Sequence, residues 1–149
     1  MAKSVCKLWG IAALLMVGAV QASAQIEDAL ENAENRFQQC QESGKNVPAC
    51  AARYYKDTDS LLNLTYKKLR ASLKADGKIA LQKEQNDWLA RRDAYFIKLK
   101  ADYGTHSKAP AGEDEADPKA ALSEDKARFV RERIEVLLSR VPEKTEEDE

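Results

Sequence analysis

Two long stretches without internal glycine or proline most constrain what this chain can fold into. One runs from Pro48 to Asp76, the other runs from Lys78 to Tyr103, and Gly77 lies between them. Apolar and aromatic side chains recur in both at helical spacing, in steps of three, four, seven and eight, as on one face of a helix: Tyr54, Leu62, Tyr66, Leu69 and Leu73, then Leu81, Trp88, Tyr95 and Leu99. A tight turn near Gly77 therefore predicts a long antiparallel helical hairpin.

Two further helices are predicted, one on each side of this hairpin. The first carries a stripe at helical spacing, formed by Ile26, Ala29, Leu30, Ala33, Phe37 and Cys40. The last opens at Asp117-Pro118, a cap followed by a first-turn proline, and buries Leu122, Phe129, Val130, Ile134 and Leu137. No strand-like alternation is present. The sequence predicts an all-α fold, a small antiparallel helical bundle.

The first residues have the layout of a secretory signal peptide. Lys3 and Lys7 give a basic start, residues 11–20 are apolar, and small residues end at Ala24. The apolar run is shorter than the roughly 20 residues of a membrane span. We therefore expect cleavage after Ala24, with Gln25 as the first mature residue, and a periplasmic or secreted protein without a membrane span. An uncleaved anchor is the alternative.

The domain boundaries follow from composition. Residues 1–24 are the predicted signal peptide, and 25–141 form one helical domain. Within that domain, 104–118 is an acidic linker that contains glycine and proline. The last residues, 142–149, form a like-charge tail that is predicted to be disordered. The sequence carries no signal for the oligomeric state.

Cys40 and Cys50 are the two cysteines that remain after the predicted cleavage. Each lies on the apolar stripe of its own helix, and turn signals separate them. In an exported protein such a pair is most simply a disulfide, placed here beside the N-terminal helix. A zinc site is the competing interpretation, but two thiolates with no histidine nearby are too few ligands.

Polar residues face the hairpin seam. Folding the sequence back about its turn brings Arg92 within reach of Asp59 and Asn63, and lays Trp88 on Tyr66. A guanidinium taken out of water needs a partner, so we expect a buried polar latch in which Arg92 pairs with Asp59. A ligand pocket and a catalytic site at the same place are the alternatives.

These positions also carry a family resemblance, over about residues 40–100. The matching residues follow Cys50 in two groups: Asp59, Asn63 and Tyr66, then Gln85, Trp88, Arg92 and Asp93. The pattern resembles the lysozyme inhibitor LprI-like family, an N-terminal domain of unknown function in bacterial exported proteins. Many members carry a cysteine where this chain has Phe96, so any second disulfide of the family is absent. The resemblance implies an envelope protein and suggests lysozyme as the partner.

Three classes of function follow. The first is a non-enzymatic binding protein, an inhibitor of lysozyme or a related cell-wall hydrolase. The second is a helical scaffold or chaperone-like envelope protein. The third, an enzyme, is disfavoured because the one histidine, His106, lies in the linker and no nucleophile–base spacing occurs. No catalytic, cofactor-binding or metal-binding site is predicted, and the formal net charge of −1 argues against a nucleic-acid partner.

For an inhibitor, the loop between the cysteines is the candidate contact. The active-site cleft of lysozyme presents two carboxylates, and Lys45 is the only cation between Cys40 and Cys50. Gly44 permits a sharp turn, and the disulfide would hold the loop in shape before binding. The plain alternative is that the loop only connects two helices and that Lys45 is a solvated lysine.

Overall fold

The structure, a computed structural model, describes residues 20–106 and 117–142. Within these ranges it contains four helices and no strand: α1 (Val20–Glu42), α2 (Val47–Ser72), α3 (Ala75–His106) and α4 (Pro118–Leu138). The helices pack as a bundle, so the predicted all-α class is confirmed. Among the described residues, no helix is long and apolar enough to cross a membrane.

Several predicted segments fall partly outside this description. Residues 1–19 of the predicted signal peptide are not included, and neither are 107–116 of the linker and 143–149 of the tail. Helix α1 already begins at Val20, and α3 continues to His106, so both helices extend into segments that the sequence assigned elsewhere. The domain boundaries drawn from composition remain predictions.

Local sequence explains where α2 and α4 begin. Asn46 caps α2 by accepting a hydrogen bond from the backbone N–H of Ala49 at 3.4 Å, and Pro48 occupies the first turn. Asp117 caps α4 by accepting from two backbone N–H groups of the first turn, at 2.8 and 3.3 Å, and Pro118 follows it. Caps and first-turn prolines satisfy or remove donors that have no partner within the helix.

The hairpin turn lies earlier than predicted. Helix α2 ends at Ser72, Leu73 is extended, and α3 has begun by Ala75. Gly77 therefore lies within the first turn of α3. A Cβ added at Gly77 would come 3.3 Å from the Cβ of Leu73. The glycine therefore lets the first turn of α3 lie close against Leu73, the extended residue that follows α2.

Helices α2 and α3 run antiparallel, as predicted. The side chain of Asp59 lies beside Arg92, while Tyr55, one turn earlier, meets Phe96, one turn later. The most extensive packing in the bundle is nevertheless between α2 and α4, followed by α1 on α2 and α3 on α4. The hairpin therefore does not close on itself, because α4 packs along both of its helices.

The core lies where all four helices meet. Its fully or nearly fully buried side chains come from each helix: Ile26 and Leu30, Leu62 and Leu69, Leu81 and Trp88, and Val130, Ile134 and Leu137. Burial of each large apolar side chain stabilises the fold by about 1.5–3 kcal/mol. The apolar face of α4 predicted from sequence is thus the face that closes the core.

A disulfide joins Cys40 near the end of α1 to Cys50 in the first turns of α2, with the Cα atoms 5.8 Å apart. The predicted pairing is therefore confirmed. Near the bridge, the rings of Phe37 and Tyr54 stack at 4.9 Å. Covalent and aromatic contacts together fix the two helix ends that flank the predicted inhibitory loop.

Candidate functional site

Arg92 lies at the rim of the hairpin seam. One of its guanidinium nitrogens is 4.0 Å from the carboxylate of Asp59, and its side chain is 23% exposed. Its closest hydrogen bonds go to the neighbouring Asp93, at 2.7 and 2.9 Å. Asn63 is exposed and donates its side-chain amide to the backbone oxygen of Asp59 at 3.0 Å. The predicted neighbours therefore meet, but at a partly solvated edge instead of in a buried latch.

The buried guanidinium of this region belongs to Arg133 in α4, whose side chain is 5% exposed. Its Nε and Nη2 both donate to Oε1 of Gln85, at 3.1 and 3.0 Å, and its Nη1 donates to Glu84 at 2.7 Å. Arg140 donates to the same carboxylate, at 2.8 Å to its nearer oxygen. Burial alone would raise the pKa of Glu84, but the hydrogen bonds from both arginines hold it below its usual value of 4.5.

Sequence reasoning missed Arg133, although a signal was present. It stands four residues after Phe129 and four before Leu137, so it lies on the apolar stripe of the last helix. A charged residue within such a stripe is buried only when it is paired. Its partners are on α3, and nothing in the sequence of α4 alone identifies them.

Trp88 has both guanidinium groups close to its ring. The carbon of the Arg92 guanidinium is 5.7 Å from the centre of the indole, and that of Arg133 is 5.8 Å away. The ring that stacks on Trp88 is Phe129 of α4, at 5.7 Å. The predicted partner, Tyr66, is partly buried against the same core. Such cation–π contacts are worth about 0.5–2 kcal/mol each, more when water is excluded.

Phe96 stands at the position where, by the family resemblance, many members carry a cysteine. Its ring is edge-on to Tyr55 at 5.9 Å and to Phe129 at 6.1 Å. The Lys126 ammonium lies 5.3 Å from the centre of the Phe96 ring. The Phe96 ring of α3 therefore contacts aromatic rings of both α2 and α4.

Tyr103 ties the end of α3 to the beginning of α4. Its hydroxyl donates to a carboxylate oxygen of Asp125 at 2.6 Å, and Arg128 pairs with the other oxygen of that carboxylate. The hydrogen bond to Asp125, together with burial, raises the pKa of Tyr103 from 10.0 to about 12. This contact fastens the two helices on either side of the linker.

The loop between the disulfide-linked helices is short and exposed. Gly44 and Asn46 both have left-handed backbones, with φ of 64° and 51°. The Ser43 hydroxyl donates to the backbone oxygen of Cys40 at 2.7 Å, and the backbone N–H of Gly44 donates to a carbonyl in the last turn of α1 at 2.9 Å. Lys45 lies between these anchored residues with its side chain in solvent.

The described residues offer two kinds of polar site. The motif residues Gln85, Trp88 and Arg92 form one strip on α3, and this strip holds α4 through Arg133 and Phe129. The loop at Lys45 is held to the fold by its backbone and by Ser43, while the Lys45 side chain is exposed. Within the described ranges, no group of three or more histidine, cysteine, aspartate or glutamate side chains could hold a metal ion.

Comparison with curated proteins and with solved structures gave no match. Comparison with protein families matches residues 38–137 to the family described as lysozyme inhibitor LprI. The matched range begins just before the disulfide and ends within α4, so it includes the loop, the motif strip and Arg133. With more than half of its residues matched, the chain belongs to the lysozyme inhibitor LprI family.

Proposed function

We propose that this protein is an exported, non-enzymatic inhibitor of lysozyme or a related cell-wall hydrolase, and that residues 43–46 enter the active-site cleft. The family name supports inhibition as the general activity. The observation that supports this particular loop is an exposed lysine on a short turn that is anchored by the Cys40–Cys50 bridge.

The physical basis is complementarity with a cleft that contains two carboxylates. Lysozyme holds one of these carboxyls protonated and the other ionised, so an ammonium group from the inhibitor finds at least one anionic partner. The loop is anchored to the end of α1 by hydrogen bonds from Ser43 and Gly44. A loop ordered before binding loses less conformational entropy on association, which favours affinity.

Export is part of this proposal, with cleavage after Ala24. Cleavage before Gln25 would leave Glu27 and Asp28 in the first turn, where carboxylates interact favourably with the helix dipole. The disulfide also fits an oxidising compartment. The mass of the exported chain tests this directly, and a chain that retains residues before Gln25 would contradict it.

The alternative, a helical scaffold or chaperone-like protein, calls for a broad exposed apolar surface. The two most exposed large apolar side chains of the described residues are Ile79 and Ile97, 69% and 73% exposed. They lie about 27 Å apart along α3, at 1.5 Å per residue. Single exposed residues of this kind are ordinary on soluble proteins, so they favour the binding protein over a scaffold.

The test is a cell-wall lysis assay in which purified protein is titrated into lysozyme. The parent protein should inhibit lysis, and Lys45→Glu should weaken inhibition by at least about thirtyfold. Loss of one partner of a desolvated charge pair costs about 2 kcal/mol or more, and 1.4 kcal/mol corresponds to a factor of ten. Lys74→Glu is the matched control, because Lys74 is an exposed lysine in the turn at the other end of α2.

A second variant tests the role of the bridge. Replacing Cys40 and Cys50 together by serine should weaken inhibition, because the freed loop must then be ordered on binding. Circular dichroism establishes that each variant is folded. Full inhibition by folded Lys45→Glu protein, or no inhibition by the parent protein, would contradict the proposal.

A further inference from the structure

An open groove lies between the first half of α1 and the end of α4, with a volume of about 880 Å³ when Ser23 and Ala24, which the proposed cleavage removes, are counted in its lining. Its floor is apolar and includes Leu30, Leu138 and Val141. Its walls are acidic and include Glu27, Glu31 and Glu135. Leu30 is 7% exposed, so the floor is continuous with the core of the bundle. An apolar floor between charged walls favours a ligand with both apolar and ionic groups.

The charges of the groove do not cancel. Its one basic side chain, Arg131, already pairs with Glu34 at 2.6 Å and with Glu135 at 3.1 Å. Glu27 and Glu31 are exposed and have no basic partner among the residues that the structure describes. They lie one helical turn apart on α1, with Cβ atoms about 6 Å from each other. The open wall of the groove is therefore anionic.

After the proposed cleavage, which removes the basic and apolar residues 1–24, the chain itself does not supply a suitable occupant. The residues after Pro142, 143–149, contain five acidic residues and one lysine, so the segment that leaves this end of the bundle has the same sign of charge as the groove. A second copy in a twofold dimer would place the same acidic walls against each other. Both candidates are disfavoured by like-charge repulsion.

We propose that this groove binds a cationic amphipathic peptide segment of another protein. An aliphatic side chain of that segment would lie on the floor at Leu30 and Leu138, and two basic side chains would pair with Glu27 and Glu31. Glu31 lies about 17 Å before the end of α1 at Glu42, from the rise of 1.5 Å per residue, and Lys45 lies in the loop beyond that end. The site is thus distinct from the inhibitory loop and does not rest on the proposed inhibition.

Calorimetric titration of the purified protein with a defined peptide tests the proposal. The probe is a synthetic helix of about three turns, amidated, with leucines on one face and lysines on the other. We expect saturable binding that weakens as salt is added, because exposed ion pairs are screened. Glu27→Gln combined with Glu31→Gln should weaken it about tenfold, since each exposed ion pair contributes up to about 1 kcal/mol.

The matched control is Asp87→Asn combined with Glu132→Gln, which removes the same charge from exposed positions outside the groove. This variant should bind the probe as the parent does. Lys45→Glu should do so too, because the groove is remote from the loop. Equal weakening by both double variants would show general charge attraction and overturn the proposal, as would a failure of the parent to bind.

Two further peptides separate the apolar contact from the ionic one. A version with glutamate in place of lysine should not bind, because it would face the acidic walls with like charge. A version with serine in place of leucine should bind more weakly than the probe, because it leaves the floor uncovered. If the serine peptide binds as tightly as the leucine peptide, the floor has no role and the groove is not the site.

Discussion

Replacing Arg133 by alanine should destabilise the protein by about 3 kcal/mol, near the lower end of the range for breaking a buried ion pair. The guanidinium is 5% exposed and makes three hydrogen bonds. Its removal strands the amide oxygen of Gln85, which is 9% exposed, and an unsatisfied buried acceptor costs about 1–3 kcal/mol. The estimate stays low because Glu84 is 39% exposed and keeps its contact with Arg140.

Arg92→Ala is the matched comparison, because the two arginines lie at similar distances from the Trp88 ring. Arg92 is partly solvated and reaches Asp59 only at 4.0 Å. Its loss should cost about 1 kcal/mol, the scale of an exposed ion pair with a cation–π contact. The sequence predicted the buried guanidinium at Arg92, whereas the structure has it at Arg133, so the larger cost is expected there.

Urea unfolding followed by circular dichroism and by tryptophan fluorescence measures both values. Trp88 is the tryptophan of the described residues, so its emission also reports on this contact directly. The slope of unfolding free energy against urea should stay unchanged, so that the midpoint reports stability. A loss from Arg133→Ala no larger than the loss from Arg92→Ala would refute the assignment.

A double substitution tests the physical reason. Arg133→Met together with Gln85→Leu replaces the polar pair by apolar side chains of similar size. Replacing both members of a buried pair is often neutral or stabilising, whereas removing one is costly. The double variant should therefore be more stable than Arg133→Ala. If it is less stable, packing and not an unpaired polar group determines the cost.

Two further predictions concern pH. The hydrogen bond to Asp125 and burial raise the pKa of Tyr103 from 10.0 to about 12. The protonated hydroxyl therefore contributes stability that is complete below pH 10.0 and is lost as the pH rises towards about 12. Tyr103→Phe should flatten the loss of stability measured over that alkaline range. The lowered pKa of Glu84, held below 4.5 by hydrogen bonds from Arg133 and Arg140, contributes stability that is present above pH 4.5 and is lost as the pH falls through the lowered value. Glu84→Gln should therefore flatten the acid decline of the urea midpoint, and an unchanged decline would contradict this role.

Features that depend on neighbouring residues in the chain could be predicted from the sequence. The cap at Asp117 depends on the next few backbone N–H groups. The Cys40–Cys50 pairing follows from two helical stripes and the short turn between them. The proximity of Asp59 and Arg92 follows from a hairpin in which one tight turn relates the two helices. In each case a short connection leaves few alternative arrangements.

Features that depend on α4 could not be predicted in the same way. Folding the chain back at one turn relates α2 to α3, but the longer connection after α3 sets no comparable register for α4. The sequence therefore paired Trp88 with Tyr66, whereas the ring that stacks on it is Phe129. The register of α2 against α3 does not include α4, so it gave Arg133 no role. It also predicted that Arg92 is buried, although the buried guanidinium of this region is that of Arg133 in α4.

The placement of α4 also separates stability from binding. Gln85 and Trp88, three residues apart on α3, contact Arg133 and Phe129, four residues apart on α4, so that about one turn of each helix is committed to this contact. Side chains committed to this contact are not free to hold a partner. Surfaces available for binding must lie elsewhere on the bundle, which is why the proposals rest on the exposed loop at one end of α1 and the acidic groove at its other end.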